Sequence, residues 1–170
     1  MTFSAERAGF LRGKFSSQRL PLRPPWARAE VEFIEQCTRC GDCHRACARG
    51  LIETGSGGFP QINFAHGACT FCGDCARACT DGALAYAPHA MPWSLHAVVQ
   101  ESCLTWRGVV CRSCGEQCEA GAIHFRYAPG KAARPEVATS TCTGCGACFG
   151  VCPAQAISLR AGSIPLEVCA

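Results

Sequence analysis

The sequence lacks most of what builds an enzyme pocket. It has no Walker loop, no GxGxxG opening a helix after a strand, and no GxSxG, so phosphate-cradling, dinucleotide-binding and nucleophile-elbow chemistry are not indicated. Its five histidines (His44, His66, His89, His96, His124) are scattered; His44 lies inside a cysteine run, where it faces water or tunes its surroundings rather than acting as a base. Aromatics make up only 8% of the 170 residues, and Trp26, Trp93 and Trp106 are too few and too spread for a base-stacking surface, so nucleic acid is not an expected partner. No apolar run approaches the roughly 18 residues of a membrane span. Residues 1 to 30 have neither the apolar run of about seven residues that a secretion signal needs nor a twin-arginine pair. These absences predict a soluble, cytoplasmic protein that is not an enzyme.

What the chain has in excess is cysteine: 17 residues, beside 18 glycines and 10 prolines. An apolar fraction of 48% therefore overstates the core, since much of it is thiol. At this density cross-links or metal must supply much of the folding free energy. Disulfides belong to oxidising compartments, whereas a chain kept reduced uses dense cysteine for metal.

Sixteen cysteines fall into four groups that recur as an internal repeat. They are Cys37, Cys40, Cys43 and Cys47; Cys69, Cys72, Cys75 and Cys79; Cys103 apart from Cys111, Cys114 and Cys118; and Cys142, Cys145, Cys148 and Cys152. Cys169 is left over, as a free thiol or a spare ligand. Small residues leading into a short apolar run follow each group, at Gly50-Leu51-Ile52, Gly82-Ala83-Leu84, Gly121-Ala122-Ile123 and Gln155-Ala156-Ile157. The repeat is read as a cysteine loop, a turn or two of helix with the fourth cysteine at its start, then a strand.

CTRCGDCHRAC, CTFCGDCARAC and CTGCGACFGVC share the spacing CxxCxxCxxxC, the bacterial ferredoxin run that gives thiolates to a [4Fe–4S] cubane. Cysteines two residues apart let a tight loop curl round one face of a bulky cluster. Gly41, Gly73, Gly144 and Gly146 allow backbone to approach and to aim N–H groups at sulfur. In two-cluster ferredoxins the fourth cysteine serves the neighbouring cluster. Structural zinc competes with this reading, but zinc uses separated knuckles around one small ion. The third group, with Leu104 to Val110 inserted, is read as a further cubane site, with a labile or three-iron cluster as its alternative. Four clusters are therefore expected, three of them in regular runs. Pairing is open between one with two and three with four, which the hairpin spacers favour, and two with three while the chain brings one and four together. Only Cys152 is followed by proline, Pro153. Asp42 and Asp74 hold matching places and are assigned to loop capping.

The expected fold class is α+β, made of repeated bacterial-ferredoxin-like modules. Leu51–Thr54 and Phe59–Phe64 flank Gly55-Ser56-Gly57-Gly58 as a hairpin, and Ala122–Tyr127 with Glu136–Thr139 around Pro129-Gly130-Lys131 form a second. Ala87–Ser94 is the linker, giving modules over 31–87 and 88–170. Residues 1–30 form a basic arm with six positive and two negative charges, against ten and eleven in the rest; it is a solvated tail or a docking arm for an acidic partner. Arg23-Pro24-Pro25-Trp26-Ala27 should be extended and lead into a helix over Ala29 to Gln36.

The chain resembles the NapF family, the ferredoxin-type accessory proteins encoded with periplasmic nitrate reductase. The resemblance rests on the leader Arg7-Ala8-Gly9-Phe10-Leu11-Arg12-Gly13, the Arg23–Ala27 stretch, CTRCGDC directly after it, the split third group and the closing CTGCGACFGVCP. It implies a cytoplasmic iron–sulfur protein that contacts the catalytic subunit of the nitrate reductase before export and helps to mature it, by delivering electrons or helping its own cluster form. From the residues alone the chain is a soluble one-electron carrier.

Overall fold

Left-handed glycines decide where the short helices begin. The computed structural model describes residues 21–162; the leader Arg7–Gly13, with Arg7, Arg12, Lys14 and Arg19, and Cys169 lie outside the described residues. Gly41, Gly73 and Gly146, at φ of 79°, 80° and 83°, immediately precede helices α2 (Asp42–Ala46), α3 (Asp74–Arg77) and α5 (Ala147–Gly150). Such dihedrals strain any residue with a Cβ. Helix α4 (Ser113–Glu116) takes the same place in the third group. The third cysteine of each group, Cys43, Cys75, Cys114 or Cys148, consequently sits inside a helix. The fourth follows at or just past the helix end, with Cys47 as the C-cap of α2. This reverses the expectation that the fourth cysteine begins the helix: the turn starts at the glycine after the second cysteine and has only one turn to run.

Both expected hairpins form, but the return strand of the second begins at Lys131, inside the expected turn, and ends at Val137 rather than covering Glu136–Thr139. Strands β1 (Ile52–Thr54) and β2 (Pro60–Ile62) pair antiparallel with Ile52 opposite Ile62, across a 3-10 turn at Ser56–Gly58. Strands β4 (Ile123–Ala128) and β5 (Lys131–Val137) pair with Ile123 opposite Val137, and the register shifts between Arg126 and Ala128. A third pair joins β3 (Leu95–Val99) to β6 (Ile157–Ala161), Val99 opposite Ile157. In the first half its counterpart is a single bridge between Ala27 and Leu84. Each half thus follows one plan: an outer antiparallel contact between its beginning and end, enclosing two cysteine loops and a hairpin.

The Arg23–Ala27 stretch is not an extended arm but a turn packed on the first half. The Ala27 N–H donates to the Pro24 carbonyl at 3.2 Å, and Trp26 takes φ of 60°. That strained residue is held from three sides. Its N–H reaches the Pro92 carbonyl at 2.6 Å, its Nε1–H the Ala87 carbonyl at 3.0 Å, and its ring meets Tyr86 edge-on at 5.0 Å. Helix α1 (Glu30–Gln36) then begins one residue later than expected and buries Phe33 completely.

The core is thin. In the first half Phe33, Leu51, Ile52, Ile62, Phe64 and Leu84 cluster with Cys43 and Cys75. In the second, the buried cluster among the described residues is Ala97, Ile123 and Ile157 with Cys114 and Cys148. At about 1.5–3 kcal/mol for each large aliphatic side chain buried, two isoleucines do not organise a half of this size.

Candidate metal centres

The structure gathers the sixteen cysteines into four sets of four. Each set lines a cavity open on one side to solvent. Cys37, Cys40, Cys43 and Cys79 line the first. Cys69, Cys72, Cys75 and Cys47 line the second. Cys103, Cys111, Cys114 and Cys152 line the third, and Cys142, Cys145, Cys148 and Cys118 the fourth. Every cavity takes three cysteines from one loop and one from the other loop of the same half. The fourth cysteines are exchanged within halves, so group one goes with group two and group three with group four. Thr38 strengthens the crossing in the first half, its hydroxyl donating to Asp81 beyond the second loop at 2.6 Å.

Two left-handed residues curl each regular loop. One follows the second cysteine, as above. The other stands two places after the first cysteine: Arg39 at φ 62°, Phe71 at 55° and Gly144 at 70°. This bend turns the Phe71 N–H back toward the Cys69 sulfur at 3.4 Å. The exchanged cysteines Cys79, Cys118 and Cys152 accept from the N–H groups of Leu84, Ala122 and Ala156 at 3.4, 3.3 and 3.2 Å. Those donors lie in the small-residue segments that follow groups two, three and four, which gives that repeated text its physical role there. At the first two cysteines of the interrupted third group hydroxyls stand near sulfur: the Thr105 hydroxyl lies 3.3 Å from the Cys103 sulfur and the Ser113 hydroxyl 3.7 Å from that of Cys111. Sequence reasoning did not single out Thr105 or Ser113. Their signal was a hydroxyl two places after a cysteine, where the regular loops place the bent residue.

Burial separates the thiols within each set. It pushes the in-helix cysteines above their ordinary value, Cys43 and Cys114 to about 11 and Cys75 and Cys148 to about 12, with neighbouring thiols adding to the effect. Cys69 is raised to about 11, first by burial; the Phe71 N–H opposes this, and the thiols of Cys47, Cys72 and Cys145 reinforce it. Cys40 and Cys72 are exposed at the rims.

Asp42 and Asp74 brace their loops through arginines. Asp42 pairs with Arg45, which also donates to the Cys40 carbonyl at 3.2 Å. Asp74 accepts from Arg77 at 2.6 Å, and Arg77 reaches the Cys72 carbonyl at 2.6 Å. The Cys72 side chain and then Arg77 hold the Asp74 carboxyl below its usual range. His44 is exposed on α2.

These residues fit an iron–sulfur cluster. Four thiols line each cavity, with N–H or O–H groups at several sulfurs and apolar side chains behind them. Among the described residues no three His, Cys, Asp or Glu side chains converge as a single metal ion requires. The thiols surround a space rather than a point, which a bulky cluster needs and a zinc ion does not.

Comparison with known proteins agrees with the donor chemistry. The family model for the 4Fe-4S dicluster domain matches twice, at residues 36–83 and 109–156, one match to each half, and carries iron–sulfur binding capacity with it. The ferredoxin-type protein NapF of Haemophilus influenzae is 42% identical over 164 residues, spanning 91% of this chain and 93% of that one. NapF of Escherichia coli K12 is 37% identical over 158 residues, spanning 93% and 96%. The methylamine utilization ferredoxin-type protein MauM of Methylorubrum extorquens is 34% identical over 156 residues, but spans 82% and 71%. Paired cysteine loops, a doubled dicluster match and end-to-end similarity converge on one conclusion: the chain belongs to the NapF family of ferredoxin-type proteins.

Proposed function

We propose that this protein is a cytoplasmic four-cluster accessory factor that binds the catalytic subunit of periplasmic nitrate reductase and helps to mature it before export. The observation that carries the cofactor reading is the set of four cavities, each lined by four cysteines. In this reading Cys37, Cys40, Cys43 and Cys79 hold the first [4Fe–4S] cluster, and Cys47, Cys69, Cys72 and Cys75 the second. Cys103, Cys111, Cys114 and Cys152 hold the third, and Cys118, Cys142, Cys145 and Cys148 the fourth. Two bacterial-ferredoxin-like modules, over 31–87 and 88–170, carry two clusters each. A bound cluster supplies reversible one-electron exchange. The chain's own residues fix the ligands, direct N–H groups at sulfur and leave Cys40 and Cys72 at the surface.

Family membership supports the maturation role. For the basic arm, the docking part narrows to residues ahead of 21. Arg23 is tied to Glu30, and Arg28 donates to the Gly82 carbonyl at 2.8 Å, so neither is free for a partner. Arg7, Arg12, Lys14 and Arg19 are the charges that an acidic partner surface would meet. Anaerobic iron and sulfide analysis tests the cofactors: about sixteen irons per chain supports four full sites, about twelve an empty third, and pale zinc-loaded protein overturns the reading. Capture of the catalytic-subunit precursor tests the partner. Deleting residues 1–20 should weaken it, and undiminished capture counts against the arm.

A second reading, a general one-electron carrier, is favoured by the exposed rim cysteines Cys40 and Cys72. It expects rapid electron exchange with unrelated redox enzymes and no selective capture of the precursor.

A further inference from the structure

The exchange of fourth cysteines explains how two cavities are linked inside each half; the link between the halves is a separate contact. The Cys69 N–H, from the second set, donates to the carbonyl of Cys145, from the fourth, at 2.8 Å. Around that bond the two halves are locked by aromatic side chains. Trp93 Nε1–H donates to the Thr143 carbonyl at 2.9 Å, in the loop between the first two cysteines of group four. The same indole meets Phe71, between Cys69 and Cys72, edge-on at 5.5 Å, and Phe64 at 5.9 Å. Phe64 in turn faces Phe149 of α5 at 6.4 Å. The fit leaves no slack: a side chain at Gly146 would collide with Phe64, and one at Gly144 with the Leu95 backbone.

On the cofactor assignment above, we propose that the four sites form one unbranched row in the order one, two, four, three, and that Phe64, Phe71, Trp93 and the Cys69–Cys145 hydrogen bond are positioning residues that hold sites two and four as neighbours across the two halves. The spatial order therefore departs from chain order. Group three, with its inserted 3-10 turn at Leu104–Arg107, falls at one end of the row and group one at the other.

Spin coupling between paramagnetic centres reads this order directly and is not moved by a merely structural role. A chain with Cys40→Ser and Cys111→Ser keeps sites two and four; a chain with Cys40→Ser and Cys142→Ser keeps sites two and three. Each should hold about eight irons. After full anaerobic reduction, electron paramagnetic resonance should give a split, interacting spectrum for the first chain and two unsplit signals for the second. Unsplit signals from the first, or splitting in the second alone, overturn the order. Trp93→Ala in the first chain should narrow the splitting with the iron content unchanged.

If either substituted chain fails to load, hydrogen exchange on the unaltered, loaded chain decides. The Cys69 amide should exchange at least about tenfold more slowly than the exposed turn at residues 56–58, and Trp93→Ala should remove that protection while β4 and β5 keep theirs. Fast exchange at Cys69 in the unaltered chain overturns the proposal. An unaltered chain without iron overturns instead the cofactor reading on which it rests.

Discussion

Arg23 is tied at several points. It forms a two-pronged ion pair with Glu30 at 2.6 and 3.0 Å, donates to the Pro60 carbonyl at 3.0 Å, and lies over the rings of Phe33 and Phe59 at 4.8 and 5.4 Å. Its side chain is only 12% exposed. Replacing it by alanine strands the Glu30 carboxylate and one carbonyl, and should cost about 2 kcal/mol of stability in denaturant titration of the loaded chain. Arg23→Lys should recover little, because an ammonium cannot fork to the carboxylate and stack at once. The buried thiols make a second prediction at this scale. Cys43, Cys75, Cys114 and Cys148 bind their protons more tightly in the fold, to about 11 or 12, than at the ordinary value of 9.0. Metal loading must expel the same protons, so cluster uptake should quicken between pH 7 and 9, a trend that the growth of visible absorption measures.

At the scale of elements, two glycines at nearly the same dihedral serve as each other's control. Gly108 has φ of 80° with open space beside it, whereas Gly146, at 83°, faces Phe64. Gly108→Ala should cost about 1–2 kcal/mol through backbone strain alone. Gly146→Ala should cost visibly more, since it also displaces Phe64 from the seam between halves; thermal denaturation of the two variants compares them. Sequence legibility followed the same division between local and distant causes. Both hairpins were readable because Gly55-Ser56-Gly57-Gly58 and Pro129-Gly130-Lys131 are local turn chemistry. The start of α1 was readable to within one residue. The pairing of β3 with β6 was not, because Leu95 and Ala161 lie far apart in sequence and nothing local marks them as partners. The turn at Trp26 was hidden for a similar reason: the proline pair argued for extension, and only Ala87, Pro92 and Tyr86, distant in the chain, hold the residue in a left-handed conformation. Spacing alone marked the sixteen cysteines that line the four cavities, without showing what those cavities hold. Which fourth cysteine closes which cavity was not legible, since four chemically identical side chains carry no label until the loops cross. Trp93, set aside as one of three scattered indoles, proved to seal the junction between halves.

For the whole molecule, the thin core predicts that the metal is a folding partner as well as a redox centre. Stripping iron from the loaded chain with a chelator under anaerobic, reducing conditions should abolish strand signals in circular dichroism and hydrogen-exchange protection in β4 and β5 together. Full retention of both would show that the polypeptide organises itself without its thiol-bound cargo. The second half, whose buried cluster among the described residues carries Ala97, Ile123 and Ile157 beside its cysteines, should melt first. The crossed loops carry one more consequence. No single loop can be shortened, swapped or lost without opening two cavities at once, so the smallest heritable unit in such a protein is a couple. Lineages should gain or shed these centres two at a time, and an odd number would mark a relic whose orphaned partner has already begun to decay.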